Sequence, residues 1–374
     1  MATRVAISFV LCCAFAILVP FDGRVAARQP SQPPDDGDRL VLITLDGART
    51  QEVFGGLDLA ILRSTLKEGQ TIEADPTYRR FWAATPEERR RKLMPFFWGT
   101  WLSSHGSIAG HRALGSVVSL TNRHWFSYPG YSEILVGEAH DDLIKSNDPI
   151  RNPNVTVLEV LRERLALPRD RVATFASWGV FNFIAEQTAG ATLIDAGPDE
   201  PLPSDPRFKE LALLQRETLP PWSDVRSDIF TFRFAMRHFE TARPRVVYLA
   251  FDETDDWAHD GRYDRLLDAY ARTDRYLEDL WTWLQAQPDY RGRTHLVITT
   301  DHGRGRGPAD WRDHGAKIAG ADEVWMAFVS PRMTKRGEWR QHAPLTTSQI
   351  AATLARWVGV DYRAVKPGAG APIE

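Results

Sequence analysis

Residues Arg39–Leu45 read RLVLITL, and the chain then turns at Asp46-Gly47. A run this short and this continuously apolar, without the alternation of a strand that has one wet face, is the pattern of a strand covered on both sides. Ser116–Leu120, Val172–Ser177, Arg245–Phe251, Thr294–Thr299 and Val324–Val329 share that character. Between them Pro86–Ser103, Tyr131–Val136, Val155–Leu165, Ser227–Thr241, Tyr263–Gln287 and Thr347–Val358 carry helical periodicity. The alternation predicts the α/β class, with a mostly parallel central sheet sandwiched by helices in one domain over residues 39–374. Two stretches break it: residues 51–115, rich in Trp, Phe and Arg, and residues 189–224, rich in proline. They read as insertions at one edge of the sheet, where loops set selectivity.

Of 374 residues, 43% are hydrophobic and 25% charged, which suits a sizeable core and excludes disordered, collagenous and multi-pass membrane classes. The 46 Lys+Arg against 49 Asp+Glu leave a formal charge of -3, so the charge balance gives no reason to expect nucleic acid. At the N-terminus Arg4 is followed by the apolar run Val5–Val19 and then by the small residues Val25-Ala26-Ala27. That is the layout of a signal peptide over residues 1–27, with a flexible lead-in over 28–38, and it predicts export to the periplasm or the medium. The run is shorter than the roughly 20 residues of a spanning helix, so no stable membrane anchor is expected. Both cysteines, Cys12 and Cys13, lie in this leader, leaving Asp and His to hold any metal in the exported chain.

In an open α/β sheet the ligand site lies beyond the carboxyl ends of the strands. Those ends deliver Asp46, then Asn122 and Ser127, then Asp252, Asp255, Asp256 and His259, then Asp301-His302, and after a Gly-rich loop Asp313-His314. One Asp or His at a strand end is ordinary, but carboxylates and imidazoles arriving at the same edge from several segments form a metal-binding pattern. Asp255 and His259 are four apart, so a helical turn sets both on one face. Aspartate oxygen and histidine nitrogen suit zinc, whose catalytic sites keep three protein ligands and an open position. Ser127 precedes the Tyr131–Val136 helix, whose N-terminus favours an anion; the same position suits a helix-capping serine.

The order of these motifs resembles the alkaline phosphatase superfamily, in particular its nucleotide pyrophosphatase/phosphodiesterase branch. The matching pieces are Leu42-Ile43-Thr44-Leu45-Asp46-Gly47, Ser127-Tyr128-Pro129-Gly130-Tyr131 with Gly137 downstream, Glu253-Thr254-Asp255 with His259, Thr300-Asp301-His302-Gly303 and His314-Gly315. The resemblance implies two divalent ions, zinc or alternatively manganese, flanking a nucleophilic serine. It puts Asp255, His259 and His314 on one ion and Asp46, Asp301 and His302 on the other, with Ser127 bound beside the second. A serine hydroxyl is a poor nucleophile at its free pKa, and metal coordination activates it. Tyr128 is expected to help shape the pocket and Asn147 to donate to a phosphoryl oxygen, with Asn122 and Asn152 as alternatives.

The function expected is an exported metal-dependent hydrolase of small phosphoric esters, working through a phosphoserine at Ser127. Its rivals are a phosphomutase similar to cofactor-independent phosphoglycerate mutase, a sulfatase-like hydrolase, and a non-catalytic metal-binding protein. Formylglycine sulfatases carry an arginine after the x-Pro-x of their nucleophile motif, and here that position is Tyr131. The stretch Tyr128-Pro129-Gly130-Tyr131 also departs from the phosphodiesterase branch, which leaves monoester against diester preference open.

Overall fold

β1 (Arg39–Leu45) is buried at all seven positions and pairs in parallel with β6 (Val246–Phe251) on one side and β7 (Thr294–Thr299) on the other. The computed structural model describes residues 37–198, 206, 208–334 and 337–374, so the expected leader and most of the lead-in lie outside the described residues. β4 (Val172–Ala176) and β5 (Leu193–Ala196) continue the parallel sheet beyond β6. Past β7 come β8 (Met326–Val329), antiparallel, then β2 (Ser107–Ala109) and β9 (Gly337–Glu338). The eight-stranded order is β5-β4-β6-β1-β7-β8-β2-β9.

Successive residues of β1 feed two separate cores, which is why its sequence is apolar throughout. Val41, Ile43 and Leu45 join the aromatic core under the Tyr263–Ala286 and Asp228–Ala242 helices. Leu40 and Leu42 face the second core, built with the Ser127–Val136, Val157–Arg164 and Ile350–Trp357 helices. The α/β sandwich is therefore as expected, and no helix among the described residues is long and apolar enough to cross a membrane.

Several elements differ from the sequence expectation. The Ser116–Leu120 run yields only β3 (Val118–Ser119), which pairs with β10 (Leu345–Thr346) in a separate two-stranded sheet. Both insertion stretches contain short strands that their surroundings hid: β2 within 51–115, and β5 within 189–224, where it forms the sheet edge. The helix expected over Pro86–Ser103 stops at Leu93, and a π-helical turn spans Phe97–Trp101. Pro95 explains the break, since it has no N–H to give the preceding turn and disfavours helical backbone at Met94. The Tyr131–Val136 helix in fact starts at Ser127.

Candidate active site

β6, β1 and β7 are adjacent and parallel, so their C-terminal ends open on one edge of the sheet. Asp46 leaves β1 there, Asp301-His302 leave β7, and the Glu253–His259 helix that follows β6 carries Asp255 and His259 on one face. The loop after β7 returns His314 to the same place, with its ring stacked on His302 at 4.1 Å. The six Asp and His residues expected as ligands thus converge on one edge of the sheet.

His302 is its hub. Its Nδ1 lies 2.8 Å from the Gly303 carbonyl oxygen, an acceptor, so Nδ1 carries the proton and Nε2 presents a lone pair. That Nε2 is 3.3 Å from Asp46 Oδ1, 3.5 Å from Asp301 Oδ2 and 3.4 Å from Ser127 Oγ. Asp46 Oδ1 and Asp301 Oδ2 are buried and have no hydrogen-bond partner. Burial pushes both carboxyl groups well above their ordinary range; Asp255 adds to the effect at Asp46, and Asp46 does so at Asp301. Two carboxylate oxygens and an imidazole lone pair that converge with only the Ser127 hydroxyl as a donor among them fit a cation. Ligands about 2.0–2.2 Å from a tetrahedral zinc stand roughly 3.3 Å apart, close to the spacings found.

A second group lies nearer solvent. His259 Nε2 is 3.0 Å from His314 Nε2 and 3.1 Å from Asp255 Oδ2, and the His259 side chain is 42% exposed. Burial and the neighbouring His302 push the His314 imidazole down to about 2, so it is a neutral ring with a lone pair to offer. At Asp255, burial would raise the carboxyl group, but the Arg304 guanidinium beside it, with His259, holds it well below the carboxylate range.

Ser127, the candidate nucleophile, is positioned by local structure. Asn122 Oδ1 accepts hydrogen bonds from the backbone N–H groups of His124 and Trp125 at 3.1 and 3.0 Å, turning the chain through Trp125, whose φ is 54°. Phe126 returns to extended backbone and Ser127 opens the helix, so the cap position expected for the serine belongs to Phe126. The serine hydroxyl is left facing His302.

The other serines near the site and the alternative asparagines have structural duties. Ser132 Oγ accepts from Asn152, and Ser119 Oγ from Arg112. Asn122 also donates to Glu133, and Asn152 to the Ile184 carbonyl. Asn147 is exposed beside Ser127, and its Oδ1 accepts from the Tyr128 N–H at 2.9 Å. Tyr128, expected to help shape the pocket, is 2% exposed and its hydroxyl donates to the Ile150 carbonyl, so it braces the loop behind Asp148 and Pro149.

Two contributors escaped the sequence reading. The Tyr131 hydroxyl donates to Asp46 Oδ2 at 2.8 Å, and its place four residues after Ser127, on the same helical face, was the available signal. Arg304, two residues past His302, is fully buried and paired with Asp255; its Gly-Arg-Gly setting reads as an ordinary loop. Asn147 also lines a cavity of about 550 Å3 shared with Asp148, Trp178, Phe183, Pro198 and Asp224.

Residues 176–357 match the family described as type I phosphodiesterase / nucleotide pyrophosphatase. That span holds Asp255, His259, Asp301, His302 and His314 but ends short of Asp46 and Ser127 on the N-terminal side. No curated protein matches the sequence. Among solved structures the fold is similar to the alkaline phosphatase PafA, with TM-score 0.57 and 10% identity over 92% of this chain and 99% of that one. It is also similar to the phosphonate monoester hydrolase from Silicibacter pomeroyi, with TM-score 0.53 and 11% identity over 86% and 73% of the two chains. A 2-O GAG sulfatase gives TM-score 0.51 and 13% identity over 87% and 71%. At such identities the likeness is one of fold.

Proposed function

We propose, from the premise that this chain belongs to the alkaline phosphatase superfamily and matches its nucleotide pyrophosphatase/phosphodiesterase branch, that it is an exported hydrolase of phosphoric esters with Ser127 as nucleophile. The observation that carries the reading is the position of Ser127 Oγ, 3.4 Å from a His302 Nε2 that also faces the unpartnered oxygens of Asp46 and Asp301. Asp46, Asp301 and His302, with Ser127, would hold one divalent ion; Asp255 and His314, which also group with His302, would hold a second together with His259. Bound there, such ions supply Lewis acidity, lowering the pKa of the serine hydroxyl and offsetting charge on the phosphoryl and leaving oxygens.

The chain's own residues do the rest. Ser127 Oγ forms the bond to phosphorus while the ester P–O bond breaks and the departing oxygen takes a proton; water then cleaves the phosphoserine and restores the hydroxyl. The Ser127–Val136 helix aims its N-terminal end at the phosphoryl group. Tyr131 fixes the Asp46 carboxylate, and Gly47 N–H donates to Asp301 Oδ1 at 3.1 Å, so both acids keep one oxygen tied and one directed inward. The cavity beside Asn147 suits the organic part of the ester. Among the described residues no Lys or Arg lines it, while Asp148 and Asp224 do, which favours a neutral or cationic group over a second phosphate.

The test is turnover of p-nitrophenyl phosphate, bis-p-nitrophenyl phosphate and p-nitrophenyl sulfate, with zinc or manganese, before and after chelation. Activity on a phosphate ester that falls about a thousandfold or more in Ser127→Ala is the expected result. Undiminished turnover in Ser127→Ala would sink the nucleophile assignment. A preference for the sulfate would move the chain to the sulfatase reading, which Tyr131 in place of the sulfatase arginine opposes. Export rests on the N-terminal layout, and an intact Met1 on cytoplasmic protein would overturn it.

A further inference from the structure

Arg304 is a fixed cation inside the candidate metal centre. Its side chain has no exposed area, and Nη1 pairs with Asp255 Oδ1. The guanidinium is held independently of that carboxylate, because Nε donates to the Trp311 carbonyl at 3.1 Å and Nη2 donates to the Arg312 carbonyl. Gly47 makes room for the pair: a Cβ there would lie 2.4 Å from Asp255 Oδ1 and 2.9 Å from Arg304 Nη1.

The two halves of the centre therefore differ in charge before any ion arrives. Asp46 and Asp301 bring two carboxylates to His302, and the ion pairs found for them involve only that imidazole. Asp255 is the only carboxylate of the outer group; Arg304 occupies one of its oxygens, and its remaining partners are the imidazoles of His259, His302 and His314. Asp255 then has Oδ2 left to offer, on the side facing His259.

We infer that Arg304 makes the two ion positions unequal: the inner one, on Asp46, Asp301 and His302, binds a divalent cation tightly, and the outer one, on Asp255, His259 and His314, binds weakly and exchanges. The inference rests on the function proposed above and deepens it by assigning one residue the task of weakening the outer position. A fixed positive charge paired with Asp255 would repel a cation held by that carboxylate, and it also takes one ligand oxygen from the outer set. The outer position is the accessible one, with His259 42% and His314 15% exposed against 0% for His302, so exchange occurs at the mouth of the site.

The experiment titrates chelated, refilled full-length protein with zinc by calorimetry and counts the ions retained after desalting by elemental analysis. Wild type is expected to bind in two steps about 10- to 100-fold apart and to retain one ion. Arg304→Met should tighten the second step by a similar factor and retain two ions, with the first step moved less; Asp46→Asn should abolish the tight step. Two equal steps in wild type, or a second step unmoved in folded Arg304→Met, would overturn the inference and leave the proposed function standing. Binding of no ion at either position would instead overturn the proposed function. Circular dichroism reports whether Arg304→Met folds; if it does not, the spacing of the two wild-type steps and the same measurement on Arg304→Gln decide.

Discussion

Gly130 occupies a position where no side chain fits, since a Cβ there would lie 2.2 Å from the Asp301 carbonyl oxygen. This close approach brings the Ser127–Val136 helix against the end of β7 and puts Ser127 beside His302. Gly130→Ala must push the two apart, and we expect a stability loss of about 1–3 kcal/mol in thermal melts. Turnover should fall about 100-fold, because a displacement near 1 Å at the reacting atom is enough for that. Gly99, whose added Cβ would meet nothing within 4 Å, is the control, and Gly99→Ala should change stability by less than about 0.5 kcal/mol. Tyr131→Phe removes only the hydroxyl that ties Asp46 Oδ2. It should lower kcat and inner-site ion affinity about 10- to 100-fold while leaving KM nearly unchanged, and an effect confined to KM would show that Tyr131 touches substrate instead. Tyr131 could have been found from its spacing to Ser127, whereas nothing in the sequence marks Arg304, because its partner Asp255 is 49 residues away and only the folded loop brings them together.

The elements divide by how they are buried. β1, β6 and β7 lie at the centre, covered on both faces, and so their sequences are unmistakable. β2 and β5 are three and four residues long and owe their place to pairing with longer strands, a tertiary effect that no local pattern records. The far edge is held by charge as well as pairing. Glu338 on β9 accepts from Arg90 at 2.9 Å and contacts His111, which itself stacks on Phe54 at 4.6 Å. Partial burial works against ionisation there, but His111 and Arg90 outweigh it and pull Glu338 down to about 2. A carboxyl group whose folded pKa is depressed stabilises the fold above its unfolded value and loses that contribution as pH falls through the folded one. The window is therefore from about pH 4.5 down to about pH 2. Glu338→Gln should lower stability at pH 7 by about 2 kcal/mol, discounted for the group's partial exposure, and the gap to wild type should close across that window in urea melts. A gap that stayed constant with pH would mean the edge is held by pairing and packing alone.

At the scale of the whole molecule the site is a stability liability, which is part of why the sequence could nominate its residues without revealing its energetics. Asp46 and Asp301 come from strands 255 residues apart and are buried together, each with an oxygen that has no hydrogen-bond partner. Burial holds both carboxyl groups well above the ordinary aspartate value, with Asp255 raising that of Asp46 further and Asp46 that of Asp301. The sign is opposite to that of Glu338: the unfolded chain ionises freely above about pH 4 while the folded chain resists, so the metal-free protein loses stability as pH rises beyond that value. Asp301→Asn keeps the Oδ1 acceptor for the Gly47 N–H and removes the charge. The metal-free variant should therefore melt several degrees above metal-free wild type at pH 7, with the difference vanishing near pH 4. Saturating zinc should reverse the order, because an ion at about 100 times its dissociation constant stabilises the wild type by about 2.7 kcal/mol and the variant by less. Calorimetric scans of both proteins with and without chelator decide it. If metal-free Asp301→Asn is no more stable than wild type, the paired carboxylates carry no strain and the case for a cation between them loses its energetic half.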